Sequence, residues 1–169
     1  EEIDELTMQI TNVQDSTENI VFDGSTIPIS TAGTGTTSGD SIPWAVTLDG
    51  TTATLAFDGA AGISWTAAEV VADLDAATYT NTDQAPTIAT RVITITHLAD
   101  EGSESSPNDR SADSGLAQAT TITIAAANDA ATVANAQSDQ TATEDVAFSY
   151  TTPSNTFADV DAGASCTYT

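Results

Sequence analysis

Apolar residues recur at every second position in a series of short runs. Leu6, Met8 and Ile10 alternate with polar neighbours. Ile20 and Phe22 do so before Asp23-Gly24, and Ile27 and Ile29 follow it. Trp44, Val46 and Leu48 lead into Asp49-Gly50, and Ala53, Leu55 and Phe57 lead away. A period of two puts alternate side chains on one face of a strand. Asp-Gly between such runs predicts a hairpin turn, because both residues tolerate positive φ. Two further strands are expected in "TRVITITHL", with Ile93 and Ile95 inward and Arg91 outward, and in "ATTITIAAA", around Ile122 and Ile124. The stretch "STAGTGTTSGD" reads as a flexible loop, Asp58-Gly59 as a turn, and "ADEGSESSPNDRSADSG" as an acidic polar loop without core-forming residues.

One segment breaks the period of two. In "SWTAAEVVADLDAA", Thr66 is placed to be an N-cap and Glu69 the third helical residue, the reciprocal arrangement of a capping box. Trp65 before the cap and Val70 at the fourth helical position have the spacing of a hydrophobic staple. The spacing predicts a helix over Ala67–Ala76, with Val70, Val71 and Leu74 toward the core. The fold class expected is all-β, an antiparallel β-sandwich with one short helix, followed by the opening strands of a second similar domain.

Composition supports strands over helices. Thr, Val and Ile are branched at Cβ and suit a pleated, half-buried surface. The chain is 40% hydrophobic but 5% aromatic, enough for a core built from small side chains. Charge changes the picture more. There are 25 Asp and Glu against two cations, Arg91 and Arg110, for a net charge of −23. Nucleic-acid binding is excluded on this balance, because phosphate contacts need Lys and Arg. An anionic membrane surface is disfavoured for the same reason, and no apolar run is long enough for insertion. Such charge repels itself and weakens the compact state unless salt or divalent cations offset it. Cys166 is the single cysteine, so a disulfide framework is excluded. The chain opens on Glu1-Glu2 with no signal peptide pattern, and residue 1 reads as an internal position or a processed terminus.

Catalytic patterns are absent from the sequence. It contains no G-x-S-x-G, no H-E-x-x-H and no phosphate loop, since no Lys follows Gly33 and Gly35. His97 reads as an ordinary strand-surface residue. The chain is read as a non-enzyme.

The acids that carry information cluster late in the chain. "DLDAATYTNTDQAPTIATRVITITHLADEGS" resembles the cadherin-like repeats of giant bacterial surface proteins, in which a helical turn leads to Tyr-x-Asn-Thr…Pro and then an Arg-x-Ile-Thr-Ile strand. "DQTATEDVAFSY…FADVDAGASCTYT" is similar to the opening of another such repeat, with Glu-Asp before a strand and an Asp-x-Asp-Ala-Gly loop after it. The resemblance covers the chain from about Trp65 onward. It departs at Ala164, where the family loop commonly carries another acid. It implies calcium, Ca2+, at a joint between successive β-sandwich domains, with Asn128 and Asp129 from the linker, Glu144 from the second domain, and Asp159 and Asp161 closing the shell. Calcium takes 6–8 hard oxygen ligands, which carboxylates and amide carbonyls supply. Topology adds Asn81 and Asp83: the strand before the last one starts beside the last one's end, which puts the loop "TNTDQAP" near the linker. An Asx-turn role in that loop is the alternative for these two residues.

The expected domains are a cadherin-like sandwich over 1–127 lacking its own first strand, a linker over 128–135, and over 136–169 either part of a second repeat or a donated strand segment. The 34 residues from Ala136 to Thr169 are too few for an independent domain. "ELTMQIT" aligns with "SCTYT", so two accounts fit: a window on a tandem array, or subunits that polymerise by strand addition. The functional expectation is an extracellular structural or adhesive module, secreted or attached to the cell surface: an extender or fibre segment of a bacterial surface protein. Its partners would be adjacent repeats or neighbouring copies. The alternative is calcium-dependent binding of surface glycans through the acidic loop Asp100–Asp113.

Overall fold

The computed structural model describes residues 2–59, 64–100, 116 and 118–161. The acidic loop beyond Asp100, Arg110, Ala164, Cys166 and the alignment partner "SCTYT" lie outside that set. The chain divides into two compact units, Glu1–Ala125 and Ala126–Thr169.

The first unit is all-β, antiparallel and sandwich-like. Its larger sheet contains β1 (Ile3–Thr11), β4 (Gly33–Thr36), β5 (Pro43–Asp49), β6 (Thr52–Asp58), β8 (Arg91–Asp100) and β9 (Gln118–Ile122), in the order β4-β5-β6-β1-β8-β9. The smaller sheet contains β2 (Glu18–Phe22), β3 (Ser25–Pro28) and β7 (Thr78–Asn81), in the order β3-β2-β7. The inner positions follow the alternation in the sequence. Leu6, Met8 and Ile10 on β1 face the same core as Ala53, Leu55 and Phe57 on β6, and Ile20, Phe22, Ile27 and Ile29 close it from the smaller-sheet side. Phe22 of one sheet stacks on Phe57 of the other with ring centroids 4.3 Å apart, and Trp65 meets Phe22 edge-on at 6.3 Å. Offset and edge-on ring pairs add about 0.5–1.5 kcal/mol beyond their buried area.

The helix α1 spans Ala67–Ala76 as its spacing predicts. The Thr66 hydroxyl accepts from the Glu69 amide at 3.3 Å, and the Glu69 carboxylate accepts from the Thr66 amide at 2.7 Å. Trp65 and Val70 are both buried in the core. Val71 is not: it is 58% exposed, because it lies about 100° round the helix from Val70 and the core-facing stripe is narrow. The β2–β3 hairpin turns on Asp23-Gly24, with φ of +41° and +69°, the primed turn that matches strand twist. The β5–β6 hairpin turns one residue later than expected. Asp49 still pairs with Thr52, and Gly50 alone takes positive φ, at +59°.

Three further expectations are corrected. The Gly/Thr stretch contains a strand, β4, which pairs with β5; main-chain hydrogen bonds hold it, so no apolar alternation marks it. The strand over "ATTITIAAA" ends at Ile122, and Ile124 lies beyond it. Arg91 does not point outward. It is 0% exposed, since it shares the period-two face of Ile93 and Ile95.

The second unit is sparse. It contains β10 (Thr132–Val133) paired with β11 (Phe157–Ala158), and the rest of its described residues are turns and irregular backbone. Among those residues only Thr156 is buried. No helix among the described residues is long and apolar enough to cross a membrane.

Candidate metal centre

Two groups of charged side chains stand out in the first unit. The first is buried and fully partnered. Arg91 uses all five guanidinium N–H donors. Nε and Nη2 donate to the two Glu18 carboxylate oxygens at 3.1 and 2.7 Å, Nη2 also to Asp15 Oδ2 at 3.0 Å, and Nη1 to the carbonyls of Thr87 and Ala89 at 3.0 and 2.6 Å. Burial pushes the Asp15 carboxyl up, but hydrogen bonds from Thr87 and Asn81 and the charge of Arg91 outweigh it and hold the group below the usual carboxylate range. Glu18 follows the same pattern. Burial opposes its charge, while Arg91 and the amides of Asp15 and Gln14 outweigh that cost. The Tyr79 hydroxyl beside Glu18 is pushed up to about 12, by burial first and then by that carboxylate. This network ties the β1–β2 connection and the segment before β8 to the sheet. The Arg91, Asp15 and Glu18 charges are matched, which makes the group a structural staple, while the buried Tyr79 hydroxyl beside it has no hydrogen-bond partner among the described residues.

The second group is unmatched. Asp23 in the β2–β3 turn, Asp40 in the loop before β5 and Asp73 on α1 bring carboxylate oxygens within 4.8 Å of one another. Asp23 Oδ2 accepts from the Asp40 amide at 2.7 Å, and Asp73 Oδ2 accepts from the Trp65 indole at 3.0 Å. Gly39 lets the loop approach: a Cβ there would overlap the Asp23 carboxylate. The Asp40 and Asp73 carboxyls are both raised, by desolvation first and then by the neighbouring charges of Asp23 and Glu69, with Asp40 acting on Asp73 as well. No salt bridge to Lys, Arg or His reaches any of the three among the described residues. Three hard carboxylate oxygen donors from three elements fit the donor chemistry of calcium.

The residues expected to ligate from sequence divide between the units. Asn81 and Asp83 are in the first. Asn81 Nδ2 donates to Asp15 at 2.7 Å, and its Oδ1 accepts from Thr17 Oγ1 and from the Asp83 amide. Asp83 Oδ1 accepts from the Ala85 amide at 2.9 Å. Both side chains thus make Asx-turn bonds, and Asn81 is engaged by the Arg91 network. In the second unit, Asp161 Oδ2 accepts from the Asp129 amide at 2.8 Å, and Asp159 Oδ1 accepts from the Asp161 amide at 2.9 Å. These bonds tie the Asp129 and Asp161 main chain to the Asp161 and Asp159 carboxylates, but the three carboxylates do not converge: among the described residues the one group of three acids whose oxygens lie within 4.8 Å of one another is Asp23, Asp40 and Asp73. Asn128 Nδ2 donates to the Asp129 carbonyl at 2.9 Å, and Glu144 lies exposed in a separate turn.

Sequence reasoning missed both first-unit groups. Period two marks Arg91 as an inner-face residue, and a buried Arg demands buried acids. Asp23, Asp40 and Asp73 carry no local signal, because only tertiary packing unites them. Compared with family models, curated proteins and solved structures, the chain matches none.

Proposed function

We propose that this chain is a structural module of an extracellular bacterial surface protein, a cadherin-like extender or fibre segment stiffened by calcium. The observation that carries the reading is the convergence of Asp23, Asp40 and Asp73, with no salt bridge to a cation among the described residues, in a chain of net charge −23. Like charges held by the fold cost stability, and a divalent cation reverses the sign of that interaction. In the second unit the Asp161 carboxylate accepts from the Asp129 amide and the Asp159 carboxylate from the Asp161 amide, so these acids, expected from sequence, are joined through the main chain and are the second candidate for a hard cation. Nothing in either group resembles a nucleophile with its base, and the work such sites do is mechanical.

Calcium sites of extracellular modules bind at about 0.1–1 mM, which ties stiffness to the ion content of the surroundings. Limited proteolysis with a broad-specificity protease tests the reading. With calcium at ten times its Kd, cutting within residues 126–135 should slow by about 10-fold relative to chelator, because binding depopulates the open form. Equal cutting rates in the two conditions would refute calcium stiffening.

A further inference from the structure

The smaller sheet of the first unit covers only part of the larger one. Among the described residues three strands face six, and β7 pairs with β2 on one side only. Beside its other edge lies an open groove of about 670 Å³, floored by Ile93 and Ile95 of β8 and Thr120 and Ile122 of β9 and flanked by Leu74 and Tyr79. The register explains the floor. Ile93 stands opposite Thr120 and Ile95 opposite Gln118, so these side chains share the inner face. Among the described residues no charged side chain lines the groove, in a molecule with 25 acids. Exposed sheet edges are commonly guarded by Lys, Pro or inward charges. The β7 sequence "TYTN" carries none of them.

The second unit contains a segment of matching chemistry. Val146, Phe148 and Tyr150 are 64%, 53% and 43% exposed, and no strand pairs with residues 146–150 among those described. Their period of two sets them on one face of an extended chain, spaced about 7 Å apart, as Ile93 and Ile95 are. From Val146 to Ala158 the sequence has no charged residue.

We propose that the groove beside β7 accepts the segment Val146–Tyr150 of a second copy of this chain as an added strand. Main-chain hydrogen bonds to the free β7 edge would supply affinity, and alternate side chains in the groove would supply register. Each chain offers one groove and one segment, so the contact is heterologous and propagates into a linear assembly. The inference deepens the association between copies in the functional reading and does not depend on its calcium.

The test uses two full-length variants at exposed positions. Phe148→Asp disables the segment, and Thr120→Trp fills the groove. Sedimentation velocity in about 1 M NaCl, where charge repulsion is screened to about 3 Å, should show concentration-dependent chains for the unaltered protein. Each variant alone should associate about 10- to 100-fold more weakly, as expected for losing one buried aromatic contact. An equimolar mixture should form dimers and stop there, because one good groove and one good segment remain. Circular dichroism checks that both variants stay folded. Unaltered protein that stays monomeric, or variants that assemble as it does, would overturn the proposal. Repeating the series in chelator separates the two readings: assembly that persists without calcium supports the groove whatever becomes of the metal.

Discussion

The two units differ in what they do with their apolar residues. In the first, Ile10, Ile27, Ile29, Leu55 and Trp65 are 0% exposed. In the second, Val133, Val146 and Phe148 are 62%, 64% and 53% exposed. Alternation of apolar and polar residues is present in both. What separates them is the number of strands available to face one another: among the described residues, nine in two sheets against one pair of two-residue strands. A lone pair of strands is marginal in water, whereas several strands with an apolar face can close a core. Periodicity thus sets which side a residue prefers. Burial requires enough partners to enclose that side.

If the first unit is held by its own interior, removing the buried guanidinium should have the largest effect in the molecule. Arg91→Met leaves Glu18 and Asp15 buried without their counter-charge and should cost about 3–5 kcal/mol, read from urea unfolding of the first unit. A loss below about 1 kcal/mol would place the staple outside the core's energetics.

Acid should weaken the same unit. Asp15 and Glu18 are held below the ordinary carboxylate range, so their contribution is complete above the unfolded values near about 4. It is lost as pH falls through the folded ones. Arg91→Met should flatten this acid limb, which a pH series of thermal unfolding would show. The Asp23 group has the opposite sign. Asp40 and Asp73 are raised, so their favourable contribution is present at low pH and lost as pH rises through the raised values. Asp40 is exposed, so solvent discounts the effect: without calcium, Asp40→Asn should gain about 0.5 kcal/mol or less at pH 7 and nothing below about pH 4.

The smallest effect is expected in the second unit. Val146→Ser should leave monomer unfolding unchanged within about 0.5 kcal/mol, since an exposed side chain has no packing to lose. A larger loss would mean that the second unit contains a core its exposures do not reveal.

Local signals were legible where local chemistry decides the outcome. The Thr66–Glu69 box, Trp65 and Val70 define the helix start, and Asp23-Gly24 defines a turn, because each rests on residues within a few positions of one another. Arg91 was misread: its phase with Ile93 and Ile95 points inward, but its charge argues for the surface, and only partners 73 and 76 residues away reverse that. The strand Gly33–Thr36 left no apolar trace, since it is held by main-chain pairing at the sheet edge. The Asp23, Asp40 and Asp73 group could not be read at all. A hairpin turn, a loop and a helix meet there, and Asp23 taken alone reads as a turn residue.

Calcium at that group is the point on which the account stands, and thermal unfolding tests it most directly. With calcium at ten times Kd, the unaltered chain should gain about 1.4 kcal/mol, a rise of roughly 5 °C in the first unit's Tm. The Asp40→Asn/Asp73→Asn variant should rise by less than about 1 °C. An equal rise in both proteins, or none in either, would contradict a cation site built from Asp23, Asp40 and Asp73.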